Sequence, residues 1–401
     1  MHEFELIKKY FSKLSKSNKS SLNLNDDVFF DKRKNLVISI DTYNEGSHFI
    51  NFKKPELVIK KIIRSSISDL ICKGVLPKFY FISGSGNKKT FSKQNLSKSN
   101  KSSLNLNDDV FFDKKKNLVI SVDTYHEGSH FINFKKPELV IKKIIRSSIS
   151  DLICKGVLPK FYFISGSGNK KTFSKNNLSK ISKSLAQEQK KYGIFLCGGD
   201  TTFSNELTFS ITSVGYAKKI IYRNKAKLND DIYVTGNLGD SFTGLQILKK
   251  RLKVQKQIKD YFVRKYFLPD IQINLTKYLL NFANSSIDVS DGIITDLEKM
   301  INKQNLSYTL SENNIPISDN LIELIKSKRL KKLNIISNGD DYQVLFTANP
   351  SKRRIIKNSS KNLGIKITMI GKINSGTKIS NVISQKGKQL VIKNKGHIHQ
   401  F

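Results

Sequence analysis

One stretch of this chain is written twice. Leu14–Lys98 returns as Leu96–Lys180 at an offset of 82 residues, and the copies differ only at Arg33/Lys115, Ile40/Val122, Asn44/His126 and Gln94/Asn176. Repeat arrays normally diverge around a pattern and need about three units to close a core. Two near-identical copies with nothing similar downstream instead mark a tandem duplication of part of one domain. Removing one 82-residue copy from the 401 residues leaves 319, and that shorter chain reads as the functional unit.

Charge comes next, because 70 Lys and Arg against 33 Asp and Glu give a formal net charge of +37. Such a balance first suggests nucleic acid. Here the lysines are spread over every segment, with no single basic arm, so they read as solvated faces. Non-specific attraction to polyanions follows, without a specific nucleic-acid partner. The cysteines are Cys72, Cys154 and Cys197, and the first two are repeat equivalents. Neither a disulfide framework nor a zinc cluster is indicated. The start, Met1-His2-Glu3-Phe4-Glu5, has no apolar signal core, and no apolar run approaches membrane-spanning length. The expectation is a cytoplasmic soluble protein without membrane association.

Phe4–Phe11 reads as a short amphipathic helix. Lys/Ser/Asn-rich linkers follow it and recur at Ser97–Ser103. In copy 2, Asn117–Val122 predicts a strand ending at Asp123. Pro137 opens a helix running to Lys155, with Val140, Ile141, Ile144, Ile145, Ile149 and Leu152 at helical spacing and Gly156 closing it. Phe161–Ile164, Ile194–Cys197 and Leu207–Tyr216 predict strands, and Asn177–Lys191 a polar helix. A second unit begins near Lys227. It holds a strand at Ile232–Thr235, a turn at Gly236 and Gly239, and helices from Ser241, over Gln255–Tyr266, over Ile271–Phe282 and after Gly292. Gln343–Thr347 and Lys366–Ile370 predict strands flanking a helix after Pro350. Short strands mixed with helices imply α/β (α+β) architecture with mixed sheets. The division is residues 1–95 (leading helix and first copy), 96–226 and 227–401.

The few acidic residues are clustered. Asn107-Asp108-Asp109, Ser121-Val122-Asp123-Thr124, Ser150-Asp151, Gly198-Gly199-Asp200-Thr201-Thr202, Asp288-Val289-Ser290-Asp291-Gly292 and Asn338-Gly339-Asp340-Asp341 mostly fall where a strand ends or a helix begins. An aspartate beside a glycine is ordinarily a turn or an N-cap. Six such clusters in one chain suit a hard cation, since Mg²⁺ is held by scattered carboxylates together with substrate phosphates. No Gly-x-x-x-x-Gly-Lys-Ser/Thr loop, kinase-type His-Arg-Asp or Rossmann fingerprint occurs, and Gly166–Lys171 reads as a solvated loop. The six histidines include one repeat pair, His48 and His130.

In order along the chain, Glu3–Ile7, Asn107-Asp108-Asp109, Ser121–Thr124, Gly128-Ser129-His130-Phe131, Ser150-Asp151-Leu152, Gly198–Thr202, Val234–Ser241, Ile287–Gly292, Gly339–Tyr342 and Gly396…Phe401 resemble thiamine-monophosphate kinases. These belong to the wider superfamily of aminoimidazole-ribonucleotide-synthetase-like ATP enzymes. The resemblance implies a two-domain PurM-like fold, with an N-terminal mixed-sheet domain forming a dimer barrel, a C-terminal α/β domain and, here, an extra duplicated half-domain. It implies ATP-dependent phosphorylation of thiamine monophosphate to the diphosphate by a homodimer with several Mg²⁺ ions. By the same resemblance, Asp109, Ser121, Asp123, Asp151, Asp200, Asp288 and Asp291, with the Val122 carbonyl, hold the metals. Gly199, Asp200, Arg223 and Ser290 contact ATP, and His130 and Asp340 face thiamine monophosphate. No side-chain acid or base is implied, because the phosphate nucleophile is already ionised and transfer rests on alignment and charge neutralisation.

The first loop reads Asn105-Leu106-Asn107-Asp108-Asp109, where the family has Gly-x-Gly-Asp-Asp, and Asp340 stands where Glu is usual. Copy 1 carries the same motifs at Asp27, Ser39, Ile40, Asp41, His48 and Asp69. Copy 2 runs directly into Gly198-Gly199-Asp200, and the shorter closure favours it as the working copy. The competing readings are another PurM-like ATP-dependent synthetase and a basic nucleic-acid-binding protein. A selenophosphate-synthetase-like enzyme would need a reactive Cys near the start, and none is present.

Overall fold

The computed structural model describes residues 3–16, 18–24, 26, 28–86, 108–328, 330–392 and 395–396. Asp27, the Ser97–Ser103 linker, Asn105–Asn107 and the His397–Phe401 ending lie outside the described residues. The chain opens on the expected helix, as consecutive turns over Glu3–Leu6, Ile7–Phe11 and Ser12–Ser15. It packs beside the later helix Lys175–Tyr192, where Ser182 Oγ donates to Tyr10 O and Gln189 Nε2 donates to Leu14 O.

Each copy forms the same pieces. Copy 1 has the hairpin β1 (Val28–Asp31) and β2 (Leu36–Ser39), then helix α1 (Pro55–Cys72). Copy 2 has β3 (Phe111–Asp113), β4 (Leu118–His126) and helix α2 (Pro137–Cys154). Proline at the first turn needs no amide partner there, and Gly74 and Gly156, at φ 71° and 75°, end the two helices in the left-handed region. Copy 2 continues into β5 (Pro159–Gly168), helix α3 (Lys175–Tyr192), β6 (Phe195–Gly198), β7 (Thr201–Phe203) and β8 (Thr208–Tyr216).

These strands form one sheet in the order β3-β4-β8-β5-β6, with β7 paired to β5. β4 runs antiparallel to β8 from Leu118↔Tyr216 to His126↔Thr208, and β5 is antiparallel to β8 and parallel to β6. Side chains alternate between faces along each strand. On one face Tyr162, Phe209 and Ile211 pack with Ile141, Ile144, Ile145 and Ile149 of α2 and Ile181 and Leu185 of α3. The other face carries Leu118, Ile120, Phe161, Phe163, Val214 and Cys197, and copy 1 covers it. Phe29 sits 5.1 Å from the Phe161 ring and 5.5 Å from that of Phe163.

The second sheet runs β10 (Ala283–Asp288), β12 (Val344–Ala348), β9 (Asp231–Thr235), β13 (Ile367–Ser375), β11 (Leu306–Ser311) and β14 (Asn381–Ile383). All pairs are antiparallel except β11–β14. Helix α6 (Ile293–Ile301), which follows α4 (Asp240–Leu248) and α5 (Lys256–Phe267), buries Ile293, Ile294, Leu297 and Met300 against this sheet. The end of α2 joins the two sheets, since Lys155 Nζ donates to Ser286 O at 2.9 Å and Ser150 Oγ to Asp288 Oδ2 at 2.5 Å.

The mixed α/β architecture therefore stands, with three local corrections. Gly166–Gly168 is not a solvated loop. It is the end of β5, paired with β7, and a Cβ at Gly166 would meet the Phe173 and Phe209 rings at 3.1–3.2 Å. β4 does not stop at Asp123, because β8 gives it partners as far as His126. Ile271–Phe282 is only a 3-10 turn at Ile273–Leu275 and a helical turn at Thr276–Leu279, since β10 claims the chain from Ala283. Among the described residues no helix is long and apolar enough to cross a membrane.

Candidate active site

Four carboxylates of separate origin meet where α2 joins the sheets. Asp109 precedes β3, Asp123 lies on β4, Asp151 on α2 and Asp288 at the end of β10. The pairing of β4 with the helix behind it lets Ser121 Oγ donate to Asp151 Oδ2 at 2.6 Å. Burial raises Asp123 to about 7, and the negative charges of Asp288 and Asp109 add to this. Asp288 is raised to about 6 by burial and by Asp109. Asp151 is raised well above the carboxylate range by burial, then by Asp123, Asp288 and Asp109. Carboxylates that raise one another in this way are relieved either by holding a proton or by a cation between them.

Basic groups meet part of the demand. Lys155 Nζ, fully buried, lies 2.6 Å from Asp108 Oδ1 and 3.1 Å from Asp109 Oδ2. The Arg223 backbone N–H donates to Asp108 Oδ2 at 2.9 Å, and its Nη1 is 3.2 Å from Asp109 Oδ1. Burial alone would raise Asp109, but Lys155 and Arg223 outweigh it and hold the carboxyl below its ordinary value. Asp123 Oδ2 is buried without a hydrogen-bond partner. An unpartnered oxygen among mutually repelling carboxylates fits an oxygen-seeking cation such as Mg²⁺. Among the described residues no three acidic, His or Cys side chains already stand in metal-ligand geometry.

The Asp288–Gly292 loop is shaped from behind. Asp296 Oδ2 accepts the backbone N–H groups of Ser290, Asp291 and Gly292 at 3.0, 2.9 and 2.9 Å. Lys299 pairs with Asp291 and lies 3.3 Å from Asp296 Oδ1. Gly292 and Gly339 let two loops touch: a Cβ on Gly292 would stand 2.1 Å from Ser337 O, and one on Gly339 1.8 Å from Ser290 O. Asp340, at φ 71°, follows directly. Its carboxylate accepts from Tyr342 Oη at 2.9 Å and pairs with the buried Lys143 Nζ at 2.9 Å. The neighbouring Asp341 instead caps α4, accepting from Gly239 N at 2.7 Å and Ser241 N at 3.3 Å. His130 Nδ1 accepts the His126 N–H at 2.9 Å, which leaves the ring proton on Nε2.

Asp200 lies apart from the carboxylate group and faces copy 1. Its Oδ2 accepts the Thr42 N–H at 2.7 Å, and burial raises it. Gly199 sits where a Cβ would stand 1.8 Å from Ile164 O. Beside it, Asn44 Nδ2 donates to Thr202 Oγ1 at 2.7 Å and Ser167 Oγ at 3.1 Å. Its equivalent His126 instead shares a hydrogen bond with Thr208 Oγ1 at 3.0 Å. A cavity of about 2110 Å³ separates the copies, with Asp123 and His130 on one wall and Asp41 and Thr42 on the other. Copy 1 builds its own Ser39–Asp69 pair at 3.0 Å and a Ser66–Asp41 pair at 2.5 Å. Burial raises Asp69, with Asp41 adding to it. No contact joins copy 1's pair to Asp288 among the described residues.

Lys143, Lys155, Asp296 and Lys299 were not singled out from sequence. A lysine between an apolar helix and Gly156 reads as an exposed C-cap cation, and full burial of lysine is rare. Only its partners, Asp108 and Asp109 before β3 and the Ser286 carbonyl of β10, reveal its place.

With this geometry in hand, the family match is informative. The AIR synthase related protein, N-terminal domain, matches residues 25–98 and again 107–217, once in each copy. The fold and the carboxylate-lined junction thus place the chain in that class. The thiamine-monophosphate kinase of Buchnera aphidicola (subsp. Acyrthosiphon pisum) is 34% identical over 293 residues, covering 70% of this chain and 87% of its own length. That of Haemophilus influenzae is 34% identical over 261 residues, covering 64% and 78%. This chain belongs to the thiamine-monophosphate kinase family. Among solved structures, AaThiL complexed with AMPPCP and TMP superposes at a TM-score of 0.67 and 24% identity, covering 79% of this chain and all of that one; this likeness shows the fold.

Proposed function

We propose that this chain transfers the terminal phosphoryl group of ATP to thiamine monophosphate, giving thiamine diphosphate in thiamine diphosphate biosynthesis. The observation that carries the reading is the meeting of Asp109, Asp123, Asp151 and Asp288 from four separate elements, with Asp123 Oδ2 unpartnered. Relatives at 34% identity bear the name of this activity, and the superposed AaThiL holds AMPPCP and TMP. On this reading the chain divides into residues 1–95, 96–226 and 227–401 and works in the cytoplasm.

Asp109, Ser121, the Val122 carbonyl, Asp123, Asp151, Asp288 and Asp291 would hold Mg²⁺ on the copy 2 side, and Asp200 from the opposite side. When bound, Mg²⁺ neutralises phosphate charge and orients the two phosphates. Gly199, Asp200, Arg223 and Ser290 would contact ATP. His130 and Asp340 would face thiamine monophosphate, whose phosphate attacks directly. Lys143 fixes the Asp340 carboxylate and Asp296 fixes the Ser290–Gly292 backbone, so both position the site without touching reacting atoms.

The test is purified protein with ATP, Mg²⁺ and thiamine monophosphate, assayed chromatographically for the diphosphate. Mg²⁺-dependent product is expected. No product from folded full-length chain and from folded 82-residue-deletion chain alike would refute the reading.

A further inference from the structure

Lysine is almost never fully buried unless it is paired, yet Lys155, one residue past α2, is 0% exposed. Its ammonium offers three hydrogens, and three oxygens surround it. Asp108 Oδ1 stands at 2.6 Å, Asp109 Oδ2 at 3.1 Å and Ser286 O at 2.9 Å. Two carboxylates and a backbone carbonyl, brought from the segment before β3 and from β10, make the all-oxygen shell that a hard divalent cation takes. Burial alone would disfavour the charge, but Asp109 and Asp108 outweigh it and keep the ammonium protonated. The backbone is fixed too, since Gly156 follows at φ 75° and the Ile221 N–H donates to Lys155 O at 3.0 Å. Copy 1 shows what position adds: its equivalent Lys73 meets Asp26 at 2.7 Å, with the two side chains 38% and 32% exposed.

We propose that Lys155 is a resident cation of the metal centre, standing between Asp108 and Asp109 in place of a divalent ion. Mg²⁺ is thereby directed to Asp123, Asp151 and Asp288, with Asp109 shared between lysine and metal. Unmet demand is divided in the same way. Asp109 Oδ1 meets Arg223 Nη1 at 3.2 Å, whereas Asp123 Oδ2 is buried without a hydrogen-bond partner. The shell around Lys155 is sized for an ammonium, because Mg²⁺ draws its oxygens to about 2.0–2.1 Å. Removing the side chain vacates the position for a hydrated ion. Lys155 touches no reacting atom; it is a positioning residue that sets how many divalent ions the site takes. The inference rests on the metal-centre reading proposed above, and the experiment separates the two.

The test counts bound Mn²⁺, a hard divalent probe whose free ion is read by electron paramagnetic resonance, in full-length wild-type and Lys155→Met chains. Ions held by copy 1 are common to both chains and cancel in the difference. Lys155→Met is expected to bind one more Mn²⁺ per chain and to gain more in melting temperature from Mn²⁺ than wild type does. An unchanged or lower count in Lys155→Met overturns the inference and leaves the metal-centre reading standing, whereas a wild-type chain that binds no Mn²⁺ overturns both. If circular dichroism shows Lys155→Met unfolded with and without Mn²⁺, Asp108→Asn decides. The Asp108 carboxylate faces Lys155 and not the metal, so the Mn²⁺ count of Asp108→Asn is expected to equal that of wild type. Loss of one ion per chain would place a divalent ion at Asp108 and overturn the inference.

Discussion

Helices Pro55–Cys72 and Pro137–Cys154 are the same eighteen residues in two environments. The second buries fourteen of its residues, the first only Val58. Ile71 is 57% exposed, while its equivalent Ile153 is 1% exposed. Helix formation is thus settled locally, by the proline start, the spacing of apolar residues and the glycine stop. What the helix does is settled by its neighbours. Among the described residues only α2 has α3, β8 and β10 around it, so there only its aspartate joins three other carboxylates.

That comparison can be broken most forcefully at the arginine. Arg146 donates to Glu188 from Nε at 2.8 Å and Nη2 at 3.1 Å, both groups buried, whereas its equivalent Arg64 is exposed. Removing one partner of a buried pair costs about 3–5 kcal/mol. Urea unfolding should therefore show a loss of that size for Arg146→Ala and under about 0.5 kcal/mol for Arg64→Ala. Similar losses in both would mean that copy 1 is packed as firmly as copy 2.

Next in size is the effect on turnover. Asp151→Asn should slow diphosphate formation by about a hundredfold or more, roughly 3 kcal/mol in barrier, while Asp69→Asn should leave it within about twofold. The reverse pattern would move the working site to copy 1. Thiol labelling sharpens the same contrast. Cys72 is exposed and Cys154 and Cys197 are buried, with burial pushing both thiols up. The thiolate is the reactive form, so peptide mapping after brief alkylation should show Cys72 modified about tenfold or more faster. Equal labelling of Cys72 and Cys154 would show that the copies exchange places.

The smallest effect is the response to pH. Asp123 is raised to about 7 in the folded state, above its unfolded value. The native state then holds a proton that the unfolded chain has released. Stability is full below the ordinary carboxylate range and falls as pH rises through it toward 7. In metal-free buffer Asp123→Asn should raise the urea midpoint more at pH 8 than at pH 5, with Asp41→Asn as the copy 1 control. A pH-independent shift would show that Asp123 titrates normally.

Much of this was legible in the chain itself. The helix Pro137–Lys155 and the strands around Ile194–Cys197 and Leu207–Tyr216 follow from periodicity, glycines and spacing, whereas the joining of Asp109, Asp123, Asp151 and Asp288 into one set came from the resemblance. Asp200 was grouped with those carboxylates by resemblance, and the structure sets it against Thr42 instead. The Gly166–Gly168 strand end was hidden because its pairing with β7 and its cover by Phe173 come from residues distant in sequence or local to a turn. Lys155 and Lys143 looked like surface cations, since burial of a lysine depends on partners that no local pattern displays.

Of the four differences between the copies, Asn44/His126 changes the chemistry most, and it falls where the surroundings differ. The short amide at 44 reaches Thr202 and Ser167, while the imidazole at 126 reaches Thr208. Two stretches that began as one text are therefore no longer spare parts for each other. At this position each has been fitted to its own post, and excising one copy or the other would yield chains that are distinguishable at the mouth of the same cavity.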